Sequence, residues 1–182
     1  MEFTFVTDHD QKSFTILAKV LRKTARRASS LRTRVICGIL IAMMLPAIPI
    51  MLMSADGEDM ALEALLAGLP GMVIFLLIVV VPIVFNDYLT GFLGRKQMQP
   101  GTEKSTAVFS AEGYTITTSV AKTQFRYDNM LYITETADYF VFVLGKNHAQ
   151  IFTKSSIAGG TAEDFRGFIE ERTDKKLLRI EG

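Results

Sequence analysis

The sequence predicts a membrane-anchored α+β protein, in which a two-helix transmembrane hairpin is joined to an antiparallel β barrel or sandwich capped by a C-terminal helix. Three observations predict this fold class. Two long uncharged apolar blocks lie in the first half of the 182-residue chain. Basic residues flank the pair of blocks, whereas acidic residues separate them. The second half changes to short alternating apolar segments that end in an amphipathic helix.

The overall composition excludes several classes of protein. Hydrophobic residues make up 49% of the chain, which is too apolar for a disordered protein. Cys37 is the only cysteine, so no disulfide framework can form within the chain. The 20 Lys and Arg against 19 Asp and Glu leave a net charge of +1. That balance argues against a nucleic-acid partner, because such proteins carry a strongly basic face.

The two apolar blocks are long enough to cross a bilayer. Residues 35–53 carry no charge, and as a helix rising ~1.5 Å per residue they span about 28 Å, close to the ~30 Å hydrocarbon core. Residues 64–85 are also uncharged, and the second helix is predicted over 64–86. Buried helices of soluble proteins rarely stay apolar on every side for so long. The sequence therefore predicts transmembrane helices at 35–53 and 64–86.

The distribution of charge predicts the orientation of these spans. Residues 1–34 contain eight Lys or Arg, whereas residues 54–63 contain four acidic residues and no basic residue. Basic loops stay on the cytoplasmic side of a membrane. We therefore expect residues 54–63 to form a short acidic external loop, and both termini to be cytoplasmic.

Residues 1–34 are predicted to contain a short strand followed by one basic amphipathic helix. Phe3 and Phe5 alternate with polar residues, as in a half-buried strand. A helix is expected from about Asp10 to Arg34, with an apolar face that contains Phe14, Leu17, Leu21, Ala28 and Leu31. That face either lies on the anionic inner leaflet or covers the cytoplasmic domain. The N-terminal strand could add to the sheet of that domain.

Residues 101–182 have the pattern of a small β domain. Tyr139–Val143 and the following Leu144 are continuously apolar, which indicates a central strand covered on both faces. A final helix is expected after Thr161, a good N-cap with Asp164 three residues later. The six predicted strands are residues 105–110, 114–119, 123–127, 130–134, 139–144 and 150–153.

This order of parts resembles the YcxB-like membrane proteins, which carry a C-terminal bacterial pleckstrin-homology-like domain. The resemblance rests on FTFVTDHD (3–10) before a helix and hairpin, the strand order of residues 108–157, and GGTAEDFRGFIEERT (159–173). It implies a cytoplasmic pleckstrin-homology-like domain over 101–182 and a bacterial inner-membrane location. It implies no reaction.

The sequence contains no pattern typical of an enzyme, and we expect neither catalytic residues nor a cofactor. His9 and His148 have no cysteine or second histidine at ligand spacing, so no metal site is expected. Binding is the remaining class of function, either of an anionic head group by Lys and Arg or of a peptide along a strand edge. Solvated charge is the alternative reading of these basic residues. The candidates for lipid or partner contact are Arg22, Lys23, Arg26, Arg27, Lys122, Arg126, Lys146 and Lys154.

The sequence thus predicts a non-enzymatic inner-membrane protein that presents a cytoplasmic binding module. Its expected partners are the lipid bilayer, which it crosses twice, and a protein, peptide or lipid ligand or a second copy of the chain. The alternative is a component of an oligomeric transporter or channel. The absence of charged residues within either span counts against that alternative, because transport pathways usually contain an ionisable group.

Overall fold

The computed structural model describes residues 2–44, 46, 49 and 58–180. The chain divides into two units, one formed by Met1–Arg27 with Asp87–Gly182 and the other by Ala28–Asn86. The predicted α+β class is confirmed. The helices in the described residues are α1 (Gln11–Lys23), α2 (Arg27–Met44), α3 (Glu58–Val84), α4 (Asn86–Lys96) and α5 (Ala162–Thr173).

Eight strands form two four-stranded sheets within the described part of the chain. They are β1 (Phe3–Asp8), β2 (Lys104–Phe109), β3 (Gly113–Thr117), β4 (Lys122–Arg126), β5 (Tyr132–Glu135), β6 (Tyr139–Val143), β7 (Ala149–Thr153) and β8 (Leu178–Arg179). Strands β2–β7 lie within two residues of the six predicted segments. The two-residue strand β8 was not predicted.

The first sheet is antiparallel, in the order β1-β2-β3-β4. Phe3 is opposite Phe109, and Asp8 is opposite Lys104, so the first strand of the chain pairs with a strand about a hundred residues later. The prediction that the N-terminal strand could join the β domain is therefore confirmed. This pairing places Phe3 and Phe5 on the inner face of the sheet, where both are fully buried.

The second sheet has the order β7-β6-β5-β8 and is antiparallel apart from the β5–β8 pair. All five residues of β6 are buried, which confirms the predicted central strand. The two sheets meet where β1 bridges to the segment after β7, through Thr4 and Ala158. The sequence left open whether the strands form a barrel or a sandwich. The described residues form no closed barrel, and their strands lie in two separate sheets.

Aromatic side chains fill the space between the sheets and α5. Phe165 of α5 lies 4.7 Å from Phe5 and 4.9 Å from Phe109, measured between ring centroids. Phe142 and Phe152 of the second sheet pack against Phe109 from the other side. The predicted N-cap of α5 is confirmed, since Thr161 and Asp164 form a reciprocal capping box.

The apolar face of α1 covers the outer side of the second sheet. Val20 and Leu21 pack with Val141 and Val143 of β6. The sequence left open whether this face lies on the inner leaflet or covers the β domain. In the structure it covers the β domain. The central strand is consequently buried on both sides, by the aromatic core on one face and by α1 on the other.

The prediction of one helix from Asp10 to Arg34 is wrong. Helix α1 ends at Lys23, because the backbone of its C-cap Thr24 leaves the helical range with φ −110° and ψ −92°. The next turn is wider, since the N–H of Arg26 donates to the carbonyl oxygen of Leu21, five residues back. A new helix, α2, begins at Arg27. Ala28 and Leu31 therefore do not share the buried face of α1, and Leu31 is 51% exposed.

One helix in the described residues is long and apolar enough to cross a membrane, and the qualifying stretch is Leu66–Val84 within α3. Helix α2 covers the first ten residues of the other predicted span, 35–53. The rest of that span, apart from Pro46 and Pro49, lies outside the described residues, as do residues 54–57 of the predicted external loop.

Candidate binding cleft

A cleft of about 440 Å³ opens beside the aromatic core, and we refer to it as the inter-sheet cleft. It is lined by the inner face of the first sheet, by β7 and by α1. Its apolar lining comprises Phe14, Leu17, Met98, Ile116, Ala121, Phe125, Ala149, Ile151 and Phe152. Its polar lining comprises His9, Thr102, Ser105, Thr118, Thr123, His148 and Gln150.

Strand alternation positions the β4 side of the cleft. Phe125 is opposite the buried Tyr114, and Thr123 is opposite Ile116, so this pair faces the interior. Lys122, Gln124 and Arg126 then face the outside. β4 is an edge strand of the first sheet, with β3 as its one neighbour in the described part of the chain. Thr123 and Phe125 on its inner face line the cleft.

Both histidines of the chain line the cleft, although they are 139 positions apart in sequence, as 148 minus 9. His9 Nε2 lies 2.9 Å from the hydroxyl oxygen of Ser105. Burial lowers the pKa of His9, and this effect outweighs the nearby Asp8 and Asp10, which act in the opposite direction. The site therefore favours the uncharged form of His9 more than water does. The His148 ring contacts Phe125 at 6.4 Å between centroids.

A hydrogen bond from the core holds Gln150, one of the polar residues that line the cleft. The Tyr114 hydroxyl donates to Gln150 Oε1 at 2.5 Å. Burial also raises the pKa of Tyr114, so its hydroxyl stays protonated across the physiological range. A mainly apolar cleft with a few hydrogen-bonding groups is suited to holding an apolar group in a defined orientation.

The structure places two of the predicted contact residues in ion pairs within the fold. Arg22 donates from Nε and Nη2 to the two carboxylate oxygens of Asp87, each at 2.6 Å. Lys154 donates to Glu135 at 2.6 Å, and its side chain is 18% exposed. Both cations therefore stabilise the domain through contacts between its elements.

The other six predicted residues lie at the surface in two groups. Near the end of α1, Arg26 donates to the Lys146 carbonyl oxygen at 2.9 Å and to Asn147 Oδ1 at 2.8 Å. Three further basic side chains of this group are exposed: those of Lys23 and Arg27, which lie within three positions of Arg26 in sequence, and that of Lys146. Lys122 and Arg126 lie on the outer face of β4, where Arg126 pairs with Asp128 at 3.2 Å.

None of the eight predicted contact residues is among the residues that line the inter-sheet cleft. Sequence reasoning searched for basic groups and so missed the cleft, whose lining contains no Lys, Arg, Asp or Glu. Alternation along β4 indicates which face Thr123 and Phe125 occupy. The space below them depends on how far the two sheets diverge, which a strand pattern does not contain.

The strand order and the capped final helix can now be compared with known proteins. Residues 109–169 match the family model of the YcxB-like proteins. The resemblance predicted from the sequence is confirmed over this segment. The YcxB-like segment begins at Phe109 in β2, contains β3–β7, and ends at Ile169 in α5. It includes the β4 and β7 sides of the cleft. A comparison with curated proteins finds no significant match.

Proposed function

We propose that this chain is a non-enzymatic, membrane-anchored binding module of the bacterial inner membrane, whose inter-sheet cleft accepts an apolar group of a protein, peptide or lipid partner. The cleft is the observation that carries the proposal. Its volume of about 440 Å³ falls within the range of roughly 300–1,000 Å³ typical of ligand sites. Its lining is mostly apolar, with polar groups already held in place by His9–Ser105 and Tyr114–Gln150 contacts.

The proposal includes a pleckstrin-homology-like arrangement for residues 101–182. Two sheets packed around an aromatic core, with α5 against one side of that core, support it. The bacterial inner-membrane location is inferred from the resemblance to the YcxB-like family, whose model matches residues 109–169.

The proposal also includes two membrane spans with both termini in the cytoplasm. Residues before α2 and residues after α3 share one folded unit, because β1 pairs with β2. A folded unit lies on one side of a membrane, so the chain between its two parts must cross an even number of times. If α3 crosses once, a second crossing is required, and residues 35–53 are the other uncharged block. The eight basic residues before that block favour the cytoplasmic side for the folded unit.

The topology is tested by cysteine labelling of the full chain in bacterial spheroplasts. In a Cys37→Ser background, Ser54→Cys is expected to react with a membrane-impermeant maleimide before lysis, because it lies in the proposed external loop. Val120→Cys, whose position is 60% exposed in the folded unit, is expected to react only after lysis. Equal labelling of both sites before lysis, or labelling of Ser54→Cys only after lysis, would contradict the proposed topology.

The cleft is tested by photo-cross-linking in native membranes. Thr123→p-benzoylphenylalanine places the reactive group on the inner face of β4, and Gln124→p-benzoylphenylalanine places it on the outer face. We expect a discrete covalent adduct at position 123 and none at position 124. Mass spectrometry of the adduct then distinguishes a protein, a peptide and a lipid.

A second substitution links that adduct to the cleft. Ala121→Trp introduces a large side chain at the cleft lining and is expected to abolish the adduct at position 123. Ala111→Trp is the matched control, since Ala111 is exposed in the β2–β3 turn and should leave the adduct unchanged. Adducts of equal yield at positions 123 and 124, or no adduct at either, would refute the cleft as the binding site.

A further inference from the structure

Helix α4 has two chemically different faces. One face packs against α1 at very short range, because a Cβ at Gly91 would lie 2.7 Å from the backbone nitrogen of Thr15. The Arg22–Asp87 ion pair joins the same two helices, with both side chains about one-fifth exposed. This face of α4 is therefore fixed to the folded unit by steric fit and by charge.

The opposite face of α4 presents large apolar side chains to the outside. Tyr88, Leu89, Phe92 and Leu93 are 53%, 38%, 48% and 55% exposed, respectively. They recur at positions i, i+1, i+4 and i+5, which places them on one side of a helix. Single exposed apolar residues are ordinary, but a contiguous apolar stripe on an otherwise packed helix marks an interaction surface.

We infer that this face of α4 lies in the interfacial layer of the bilayer and holds the folded unit at the membrane surface. Only Phe85 separates α3 from α4, so the start of α4 lies at the boundary where the proposed span ends. The inference therefore rests on the membrane crossing by α3 contained in the proposed function.

The residues of α4 suit that position chemically. Tyr88 has an apolar ring and a polar hydroxyl, a combination enriched at membrane interfaces. Arg95 and Lys96 are exposed in the last turn, where they meet anionic head groups. An amphipathic helix with an aromatic and aliphatic face and flanking cations is typical of an interfacial segment. We therefore assign lipid, instead of a second copy of the chain, as the occupant of this face.

Spin labelling of the full chain in vesicles of anionic and zwitterionic phospholipid tests the inference. In the Cys37→Ser background, nitroxide labels are attached at Phe92→Cys and, as a second position, at Leu93→Cys. Collisions with oxygen, which concentrates in lipid, are compared with collisions with a water-soluble nickel complex. Both labels are expected to collide more with oxygen than with the nickel complex. Tyr132→Cys, at an aromatic position of β5 that is 40% exposed, is expected to show the reverse preference.

The outcomes separate this inference from the proposed anchoring. A label at Leu77→Cys in α3, where the native side chain is 56% exposed, reports on the span itself. Lipid exposure at position 77 with water exposure at positions 92 and 93 would overturn the inference and leave the anchor standing. Water exposure at all three positions would overturn both. Poor access to both reagents at 92 and 93, with dipolar broadening that disappears on dilution with unlabelled protein, would assign the face to a second copy instead.

Discussion

Replacement of Phe5 by alanine is expected to lower the stability of the folded unit by about 4 kcal/mol, a typical cost for removing a fully buried phenylalanine from a core. Phe5 is completely buried and contacts both sheets and α5. Its ring centroid lies 5.5 Å from that of Phe109 and 5.9 Å from that of Phe152. The substitution therefore leaves a cavity at the point where three layers meet, and the surrounding rings can fill it only in part.

The measurement is thermal unfolding of the full chain in mild detergent, followed by circular dichroism. At about 3 °C per kcal/mol, the melting temperature is expected to fall by about 12 °C. Val120→Ala, at a position that is 60% exposed, is the control and should change it little. If Phe5→Ala melted together with Val120→Ala, the first strand would not be part of the cooperative core.

Glu135→Gln is expected to have the second large effect, because Glu135 holds three cations at the end of β5. Its side chain is 8% exposed, and its carboxylate accepts from Lys154 at 2.6 Å and from Arg166 Nη2 at 2.9 Å. Arg179 lies 3.8 Å away. Loss of this charge leaves Lys154 and Arg166 in a largely desolvated place without their closest anionic partner, which costs about 3 kcal/mol, at the lower end of the range for buried pairs because both cations keep some water and a second contact.

In the same thermal assay, Glu135→Gln should lower the melting temperature by about 9 °C at pH 7, using about 3 °C per kcal/mol. Glu163→Gln is the matched control, because Glu163 is 86% exposed and lies 3.9 Å from the same arginine. A similar small shift in both variants would show that the buried network contributes no more than a surface pair.

The pH dependence of this difference follows from the pKa of Glu135. Burial raises that pKa, but hydrogen bonds from Arg166 and Lys154 and their charges outweigh burial and lower it from 4.5 to about 2. A depressed folded-state pKa stabilises the protein above the unfolded value and loses that effect as the pH falls. The gap between native protein and Glu135→Gln should therefore be widest above about pH 5 and narrow between pH 4.5 and 2. A gap independent of pH over that interval would contradict the assignment.

The strands could be predicted from the sequence because the order of apolar and polar residues in a strand depends only on neighbouring positions. The uninterrupted apolar run at 139–144 indicated a strand covered on both faces, and β6 has all five residues buried. Thr161 and Asp164 predicted the start of α5 because a capping box involves only neighbouring residues. The approximate bounds of β2–β7 follow from the same alternation of side chains.

The break between α1 and α2 depends on tertiary structure and was missed. Apolar residues keep helical spacing from Phe14 to Leu31, so periodicity alone extends one helix across the break. The cluster on the second sheet contains Val20 and Leu21, with Ile16, Leu17 and Ala25 partly buried beside them, and among the described residues it contains none of α2. The same reason explains the missed cleft. Its volume depends on the separation of two sheets, whereas the search by residue type selected cations such as Arg22 and Lys154 that the fold neutralises internally.

The pairing of β1 with β2 has a consequence for the biogenesis of the protein. The strand that contains Phe3 can pair with β2 only after Phe109 has been synthesised. Phe109 follows Phe3 by 106 residues (109 minus 3). At ~5–20 residues per second, synthesis of that interval takes roughly 5–20 s. During this interval Phe3 and Phe5 have no sheet to join, while both uncharged blocks leave the ribosome. In the proposed topology, insertion of the two spans would precede closure of the folded unit, and the first strand synthesised would be completed among the last.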